Sequence, residues 1–490
     1  MPQFMRFERP EQRDGPERGA LLARFAFEAP SSTHVDRPAE PRDMPDLALP
    51  PLNPVGEVGY VIMGFPRLSE TFITHEIYLL ERLGLKLRLF AVKRGDMDKV
   101  HDVVGRIRAP LSYLPEVTSL SGTTLIAWLW RNWPKYAASH ARLLKAKPRP
   151  YLTTLGAAIA MSWKYRQGWF APPRKVFIKE FLQAGHIAWQ VIEAGTVRHL
   201  HGHFCHGATT ITWMASRLTG VPFSFTAHAK DIYQADQNPG DLLRRKLNAA
   251  RFVATCTGAN ADHLAQRFPG CDHVHRVYHG LDTDYFAPAA RKPTTDSVPQ
   301  ILAVGRFVEK KGFQYLVEAC ALLKAGGERF RCLMIGENGD QSELIKSRIS
   351  EFGLDDVIRM QGAVMHDELR QIYRESVIFA LPCLVAADGD RDGIPNVLAE
   401  AMASGLAVVT TAVSGIPELV RDRIDGLVVP ECDPQALAAA LKQLLQDRAL
   451  REHLGKGGRE RVCQVFDSSK TTLQLKALFV EVMQPARAVA

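Results

Sequence analysis

The sequence lacks the features that mark several common classes of protein. Its eight cysteines are scattered and include no Cys-x-x-Cys pair, which argues against a zinc site or a disulfide framework and fits a reducing compartment. No apolar run reaches the roughly 18 residues that span a bilayer. The N-terminus also lacks the apolar core of a signal peptide. We therefore expect a cytoplasmic protein that rests, at most, on a membrane surface.

The remaining composition is typical of a large globular protein. The chain has 490 residues, of which 46% are hydrophobic and 23% are charged, so we expect two or three domains with sizeable cores. Residues 1–54 differ from the rest, because they are rich in Pro, Arg and acidic residues and show no periodicity. That composition predicts a disordered tail.

Positive charge is concentrated in one segment, residues 86–180. This segment carries 18 Lys/Arg against 5 Asp/Glu, within a chain whose formal net charge is +8. It also holds five of the seven tryptophans: Trp128, Trp130, Trp133, Trp163 and Trp169. Basic residues among aromatics suit an anionic membrane surface or nucleic acid, and a solvated basic surface with tryptophans in the core is the alternative. Of the two ligands we predict the membrane and no nucleic acid.

From residue 55 onward, short apolar runs alternate with helical patterns. The first half has strand-like runs at 58–64, 85–92, 197–204, 223–228, 252–257 and 275–280. A helix is predicted from Ser69 to about Leu83, and 120–195 reads as mainly helical. After a polar, Pro-containing linker (287–299), six runs follow at 301–305, 331–336, 357–361, 377–382, 406–411 and 426–430.

This alternation predicts parallel sheets with helices on both faces. We expect an α/β protein with two Rossmann-like, doubly wound domains, at 55–290 and 300–465, that face a cleft. A helix and tail are predicted over 466–490. Ligands of such sheets bind beyond the carboxyl ends of the strands, so the residues after each apolar run are the candidates for a site.

Two cations follow the first strand of the second domain. Arg306 comes directly after the run at 301–305, and Lys311 precedes Gly312 and a predicted helix. Cations at a strand end near a helix N-terminus favour an anion. The alternative is a solvated charged loop.

A second strand end is followed by two carboxylates on one predicted helical segment. Asp392 precedes a helix that Pro395 opens, and Glu400 lies eight residues after Asp392, which is a little over two turns. A carboxylate can accept hydrogen bonds from vicinal hydroxyls, and amides at a helix start can hold phosphate. Glu400 stands between Leu398 and Met402, where a solvated charge is not expected.

Together these motifs resemble glycosyltransferase family 4, whose members are retaining, metal-independent enzymes with the GT-B fold. The resemblance rests on VGRFVEKKG, DGIPNVLAEAMASGLAVVTT and SGIPELVRDRIDGLVVP, and it covers nearly all of 300–462. The family usually has Glu at both ends of a Glu-x-seven-Glu motif. Asp392 stands at the first position here, with a reach one methylene shorter.

The resemblance implies roles for individual residues of the second domain. Arg306 and Lys311 would bind the nucleotide diphosphate and stabilise its charge as it leaves. Glu400 would hold the ribose, while Asp392 and the backbone at Gly393 and Ile394 would hold the donor sugar. Glu418 would lie near the ligand at another helix start, and a purely structural cap is the alternative for this residue. No metal or other cofactor is expected, since the nucleoside-diphosphate sugar is a substrate.

The first domain resembles the family in patches. GFPRLSETFITHEIYLLERLG (64–84) looks like the first strand, loop and helix of members that build exopolysaccharide or lipopolysaccharide, which would place four residues on the acceptor side of the cleft: Pro66, Ser69, Glu70 and Thr71. His228 corresponds to a histidine that hydrogen-bonds the donor sugar, and Asp231 would orient its loop. A structural histidine is the alternative. The family often has Asn where this chain has His279.

A histidine cluster offers a competing interpretation. His199, His201 and His203 alternate along one predicted strand, with His206 close behind, and such clusters can bind zinc or iron. No acidic ligand accompanies them at convincing spacing, and Cys205 would point to the opposite face. We predict structural histidines and no metal.

The sequence thus predicts transfer of a sugar from a nucleoside-diphosphate sugar to a hydroxyl of a glycan or lipid-linked acceptor, with retained configuration. Exopolysaccharide or lipopolysaccharide biosynthesis is the expected setting. Two alternatives remain open: a GT-B sugar phosphorylase, and a nucleotide-sugar-binding scaffold without transfer activity.

Overall fold

The computed structural model describes residues 56–67, 70–95, 102–234, 236–288 and 298–484. The predicted tail over 1–54, Ser69 and most of the predicted linker lie outside the described residues. In the described part of the chain, two parallel α/β domains are present, and the expected fold class is confirmed.

The first domain is built on a parallel sheet. Its strands are β1 (Glu57–Ile62), β2 (Leu87–Ala91), β3 (Leu111–Tyr113), β4 (Val197–His203), β5 (Phe223–Ala227), β6 (Val253–Thr255) and β7 (Val274–Arg276). The described strands are ordered β3-β2-β1-β4-β5-β6-β7, so the order reverses between β1 and β4. Every predicted run overlaps a strand, although the run at 275–280 shares only His275 and Arg276 with β7. The short edge strand β3 was not predicted, because its three residues are only partly buried and form no apolar run.

Helices cover this sheet. They are α1 (Thr71–Arg82), α2 (Leu125–Ala146), α3 (Pro148–Lys164), α4 (Val176–Ala194), α5 (Gly207–Thr219), α6 (Ala229–Tyr233), α7 (Leu242–Ala249) and α8 (Gly258–Arg267). The segment 120–195, predicted to be mainly helical, consists of α2, α3 and α4. A proline at the first position of α3 separates it from α2, since a proline fits a helix start.

The second domain repeats the arrangement with a six-stranded sheet. Its strands are β8 (Gln300–Val304), β9 (Arg331–Ile335), β10 (Ile358–Gln361), β11 (Ile378–Leu381), β12 (Ala407–Thr411) and β13 (Leu427–Val429). Among the described residues they are ordered β10-β9-β8-β11-β12-β13. The order reverses between β8 and β11, so the loops that follow these two strands open on the same crevice.

The helices of this half continue to the end of the described chain. They are α9 (Phe313–Ala325), α10 (Ser342–Glu351), α11 (His366–Glu375), α12 (Asn396–Ala403), α13 (Ile416–Leu419), α14 (Pro434–Gln446), α15 (Arg448–Val465) and α16 (Ser468–Met483). The helix predicted after Pro395 is α12. No helix in the described ranges is both long enough and apolar enough to cross a membrane.

The last helix, α16, returns to the first domain. Its Phe479 is fully buried and packs on His201 and Phe252, with ring centroids 5.1 and 5.4 Å away. Lys476 Nζ donates a hydrogen bond to the Leu83 carbonyl at 2.7 Å. The predicted terminal helix therefore completes the core of the first domain, because its apolar side chains fill space beneath the first sheet.

The basic aromatic segment has one buried and one exposed face. Trp128 is 1% exposed, whereas Trp130 on the same helix is 85% exposed. In the loop after α3, Trp169 and Phe170 are 80% and 98% exposed. The interpretation that places the tryptophans in the core therefore holds for Trp128 but is wrong for Trp130 and Trp169.

Candidate active site

The two sheets face each other across a cleft of about 430 Å³. The loops after β5 to β11 all contribute residues to its wall. Six of the lining residues have side chains that can bind or ionise: His228, Cys256, His279, Arg306, Lys311 and Asp392. The cleft thus lies at the carboxyl ends of both sheets, where doubly wound folds bind ligands.

Lys311 and Asp392 meet because β8 and β11 are neighbours in the second sheet. Lys311 Nζ lies 2.6 Å from Asp392 Oδ2, and Lys310 Nζ lies 3.3 Å from Oδ1 of the same carboxylate. Gly312 permits this approach. Its φ is 65°, and a Cβ there would lie 2.0 Å from the Pro382 carbonyl oxygen, so any side chain would push the two loops apart.

The charges of this group determine the ionisation of Asp392. Burial would raise the pKa of Asp392, but the ammonium groups of Lys311 and Lys310 outweigh it and lower the pKa to about 2. Burial would likewise lower the pKa of Lys311, and Asp392 raises it instead. Both groups are therefore charged at neutral pH.

Two further predicted donor contacts line the same wall. Arg306 is exposed at the end of β8, and its side chain faces the cleft beside Lys311. Gly393 and Ile394 precede α12 and also line the cleft. A Cβ at Gly393 would lie 3.2 Å from the Thr257 methyl group, so the backbone passes close to the first domain here.

Glu400 lies behind the cleft wall and is linked to it through the Tyr373 hydroxyl. Its side chain is buried, and Tyr373 Oη donates to Oε2 at 3.0 Å. The same hydroxyl lies 3.2 Å from the carbonyl oxygen of Val397, which lines the cleft. Burial raises the pKa of Glu400 to about 7, against the opposing effect of the Tyr373 hydrogen bond. The expectation that Glu400 is not a solvated surface charge is confirmed.

His228 lies across the cleft, directly after β5. Its backbone N–H donates to Asp231 Oδ1 at 2.7 Å, and the other Asp231 oxygen accepts from the Cys205 N–H. Asp231 therefore joins the loop after β5 to the loop after β4, in agreement with its predicted orienting role. His228 is 8% exposed, and no described group hydrogen-bonds its Nε2.

The surroundings of His228 keep its imidazole neutral. Burial lowers the pKa of His228 well below its usual range, and the neighbouring His279 and His203 lower it further. Its Nδ1 lies 3.3 Å from His279 Nε2, and the two rings are stacked. Phe72 covers the pair, with ring centroids 5.5 Å from His228 and 4.2 Å from His279.

Three of the predicted acceptor-side residues are described, and they lie in the loop before α1 and at its start. Pro66 is buried, and Glu70 pairs with Arg67 at 2.7 Å. Thr71 is the first residue of α1, and Ser69 lies outside the described residues. Of the described residues in this segment, it is Phe72 that lines the cleft.

Glu418 occupies a different place from the one expected of a donor ligand. Its two carboxylate oxygens accept the backbone N–H groups of Gly258 and Ala259 at 2.7 and 2.9 Å, and Tyr278 Oη donates to Oε2 at 2.8 Å. A carboxylate at the start of α8 satisfies unpaired amides and complements the helix dipole. These contacts favour the capping alternative, and they make Glu418 a link between the two domains.

The histidines on β4 lie in the core of the first domain, and two of them are hydrogen-bonded there. His199 and His201 both hydrogen-bond Ser224 Oγ, at 2.7 and 2.8 Å, and His201 also reaches Thr226. Burial lowers the pKa of each ring. His203 lies 3.7 Å from Glu76, and all three rings are buried in the core.

Several cleft residues were not singled out from the sequence. Lys310 shares Asp392 with Lys311 and also lies 3.1 Å from Asp390. Arg391 lines the cleft and stacks over the Tyr233 ring of the first domain at 4.4 Å. Lys310 could have been found from the sequence, because it directly precedes Lys311. Cys256 and Phe72 follow apolar patterns that carry no chemical signal.

This arrangement of two doubly wound domains around a cation-rich cleft defines a protein with the GT-B fold. Solved structures agree. A glycosyltransferase from Rickettsia africae superposes with a TM-score of 0.62 at 16% identity, over 88% of this chain and 100% of that one. HepE of Anabaena, in complex with UDP, gives 0.63 at 14% identity, over 87% and 100%.

Sequence comparisons identify the family. The model for "Glycosyl transferases group 1" matches residues 289–461. The amylovoran biosynthesis glycosyltransferase AmsK of Erwinia amylovora is 45% identical over 408 residues, 80% of this chain and 91% of that protein. The putative colanic acid biosynthesis glycosyltransferase WcaL of Escherichia coli is 29% identical over 443 residues, 86% and 99%. The chain belongs to the group 1 glycosyltransferases, and the resemblance to family 4 is confirmed.

Proposed function

We propose that this glycosyltransferase moves a sugar from a nucleoside-diphosphate sugar to a hydroxyl of a glycan or lipid-linked acceptor, with retention of anomeric configuration. The observation that carries the proposal is the arrangement of charges across the cleft. Arg306 and Lys311 stand at one strand end, and the neutral His228 stands on the opposite wall. An anionic leaving group and an uncharged sugar fit between them.

The cations would hold the diphosphate. As the bond between the anomeric carbon and the phosphate oxygen breaks, negative charge develops on the nucleoside diphosphate, and fixed cations in a partly enclosed cleft stabilise it. Arg306, Lys310 and Lys311 supply that charge from side chains. The chain therefore carries what a reaction without a metal cofactor requires.

Asp392 and His228 would hold the sugar from opposite sides. Asp392 is ionised and can accept hydrogen bonds from sugar hydroxyls. A neutral imidazole can donate or accept at Nε2, the ring atom of His228 that has no hydrogen bond from any described group. Glu400 would accept hydrogen bonds from the ribose hydroxyls. Tyr373 would first release the Glu400 oxygen Oε2, to which it donates in the free protein.

Retention would follow from attack on the same face of the sugar as the leaving group. The acceptor oxygen forms the new bond to the anomeric carbon as the phosphate oxygen leaves, and the acceptor proton passes to an oxygen of the departing phosphate. Asp392, the carboxylate nearest the donor position, is neutralised by two lysines. That pairing makes it a poor covalent nucleophile.

Membership of an exopolysaccharide or lipopolysaccharide pathway is proposed from the relatives. AmsK and WcaL are named for the biosynthesis of amylovoran and colanic acid, and the chain spans 91% and 99% of their lengths. We propose the same broad class of polymeric acceptor for this enzyme.

A lipid-linked acceptor is supported by the surface of α2 and α3. Ile126, Trp130 and Trp133 lie on one exposed face of α2, at spacings of four and three residues. Trp169 and Phe170 are also exposed, in the loop after α3, and Arg166 stacks over the Trp169 ring at 5.2 Å. Exposed aromatics flanked by cations suit the headgroup region of an anionic bilayer, and we propose a peripheral position on the cytoplasmic face.

Transfer assays with UDP-, GDP- and ADP-sugars test the proposal. We expect one donor to give a glycosylated product whose anomeric configuration, read by NMR, matches the donor. An inverted product would overturn retention, and failure of all sugar nucleotides to bind would overturn the donor assignment. Binding without turnover would favour the scaffold alternative, and dependence on inorganic phosphate would favour a phosphorylase.

A further inference from the structure

We propose that His228, Cys256 and His279 form a binding site for a zinc-like divalent cation in the cleft, and that occupancy of this site inhibits sugar transfer. The three side chains each offer one ligand atom, and these atoms lie within 4.8 Å of one another. Two imidazole nitrogens and a thiol sulfur are the ligand types that zinc prefers in proteins.

The spacing of the two histidines suits a shared metal ion. His228 Nδ1 and His279 Nε2 are 3.3 Å apart. Two nitrogens bound to zinc at about 2.0–2.1 Å in tetrahedral geometry are separated by about 3.3 Å. The ion would therefore replace the contact between the rings, which are stacked in the free protein, and at least one ring would turn about its side-chain bonds to point its nitrogen at the ion.

The ligands stand on a rigid frame. His228 and Cys256 are the first residues after β5 and β6, which are neighbouring strands, and His279 follows β7, the next strand of the sheet. His228 and Cys256 are both 8% exposed. Side chains held at the ends of adjacent strands lose little freedom on binding an ion, which favours affinity.

The cleft leaves room for a fourth ligand. All three residues line it, so an ion can enter from solvent and can keep a water molecule. The nitrogen and sulfur ligands select zinc or cobalt over magnesium, which prefers oxygen. On binding, the Cys256 thiol releases its proton to solvent and becomes the anionic ligand.

Inhibition follows from the position of His228. An ion bound through Nδ1 of His228 adds positive charge and a bound water where the donor sugar is expected to contact this ring, and it fixes Nε2 as a hydrogen-bond donor only. Zn²⁺ is therefore expected to compete with the donor. This consequence rests on the proposed function, whereas metal binding itself does not.

Cobalt titration of the full chain tests the site directly. Because cobalt bound to a thiolate absorbs in the near ultraviolet, we expect one equivalent of Co²⁺ to produce this band in the wild type. Cys256→Ser should abolish the band, and Cys432→Ser, which removes an exposed thiol elsewhere, should leave it unchanged. A band that survives Cys256→Ser, or no band in the wild type, would overturn the proposal.

His279→Asn is the second variant, because it replaces one ligand with a side chain of similar polarity. We expect its affinity for Zn²⁺ to fall by at least about tenfold, since loss of even an outer partner of a metal ligand has that effect. Thermal unfolding with and without Zn²⁺ checks both folding and binding. Zn²⁺ should raise the Tm of the wild type and have a smaller effect on His279→Asn, and equal shifts would overturn the role of His279.

Activity provides a separate readout. Zn²⁺ should raise the apparent KM for the donor, a chelator should restore it, and Mg²⁺ should not reproduce the effect. If cobalt binds at Cys256 while no sugar nucleotide is a substrate, the metal site stands and the proposed function fails. Transfer that saturating Zn²⁺ leaves unchanged would overturn the inhibitory role.

Discussion

Lys311 and Asp392 form an ion pair of 2.6 Å between the loops that follow two adjacent strands. The cation expected to hold the donor diphosphate is therefore neutralised, before any ligand binds, by the carboxylate expected to hold the donor sugar. The pair holds both side chains in the cleft and keeps Asp392 ionised at a pKa of about 2. A donor with an anionic diphosphate and a hydroxylated sugar can engage both partners without leaving either charge unpaired.

Replacing Lys311 with Met should lower kcat by roughly 10²–10³, because it removes a cation placed where leaving-group charge develops. Steady-state transfer kinetics measure the effect. Lys324→Met is the matched control, since Lys324 pairs with Asp356 on the surface and should leave kcat unchanged. Equal losses in the two variants would contradict a specific role for Lys311.

Donor affinity should depend on pH through Glu400. The pKa of Glu400 is raised to about 7, so below this pH the carboxyl is neutral and above it the charged form accepts stronger hydrogen bonds from ribose. KM for the donor should therefore fall as pH rises through 7, by about fivefold if the gain is about 1 kcal/mol. Glu400→Gln should flatten this profile. A variant profile as steep as that of the wild type would refute the assignment.

His228→Ala should mainly lower turnover, with a smaller effect on donor KM. The imidazole is neutral because burial lowers its pKa, so its own protonation should not shape the wild-type profile between pH 6 and 8. Single-turnover measurements separate the chemical step from binding. His273→Ala is the control. His273 directly precedes β7, at the end of the strand opposite the cleft, and its ring hydrogen-bonds the Leu247 carbonyl. A wild-type loss of kcat that tracks histidine protonation and vanishes in His228→Ala would contradict the neutral state.

Membrane binding should depend on the exposed aromatic face. The double variant Trp130→Ala/Trp169→Ala should bind vesicles rich in anionic lipid at least tenfold more weakly than the wild type, because each indole carries apolar area into the interface. Vesicle sedimentation at low salt measures this. Leu344→Ala, an exposed apolar change on the second domain, should have no effect. If the wild type fails to bind anionic vesicles at low salt, the membrane proposal fails.

Phe479→Ala should destabilise the first domain by about 3–5 kcal/mol, since it leaves a cavity where the ring was fully buried among Tyr60, His201 and Phe252. Thermal or urea unfolding measures the change. Leu322→Ala, at a partly exposed position on α9, should cost far less. An equally small effect of Phe479→Ala would show that α16 does not complete this core.

The fold class and the local half of the site could be predicted from the sequence. Buried parallel strands need apolar residues on both faces, so their positions were evident, while β3 escaped because its three residues are partly exposed. Helix α12, with Asp392 before it and Glu400 inside it, could be placed because proline and helical periodicity act over one or two turns. Lys311 and Gly312 are adjacent in the sequence, so their proximity in the site did not depend on tertiary structure.

Which distant residues meet depends on the tertiary structure. Strand order brings Lys311 to Asp392 and sets His228 beside Cys256 and His279, and no local pattern encodes that order. It also places Glu418 at the start of α8, where its carboxylate accepts hydrogen bonds from two backbone N–H groups that have no partner within the helix. Trp128 and Trp130 differ in exposure because one face of α2 packs on the domain while the other has no described neighbour. Composition indicated a basic segment rich in aromatic residues, whereas packing determines which of its rings are exposed.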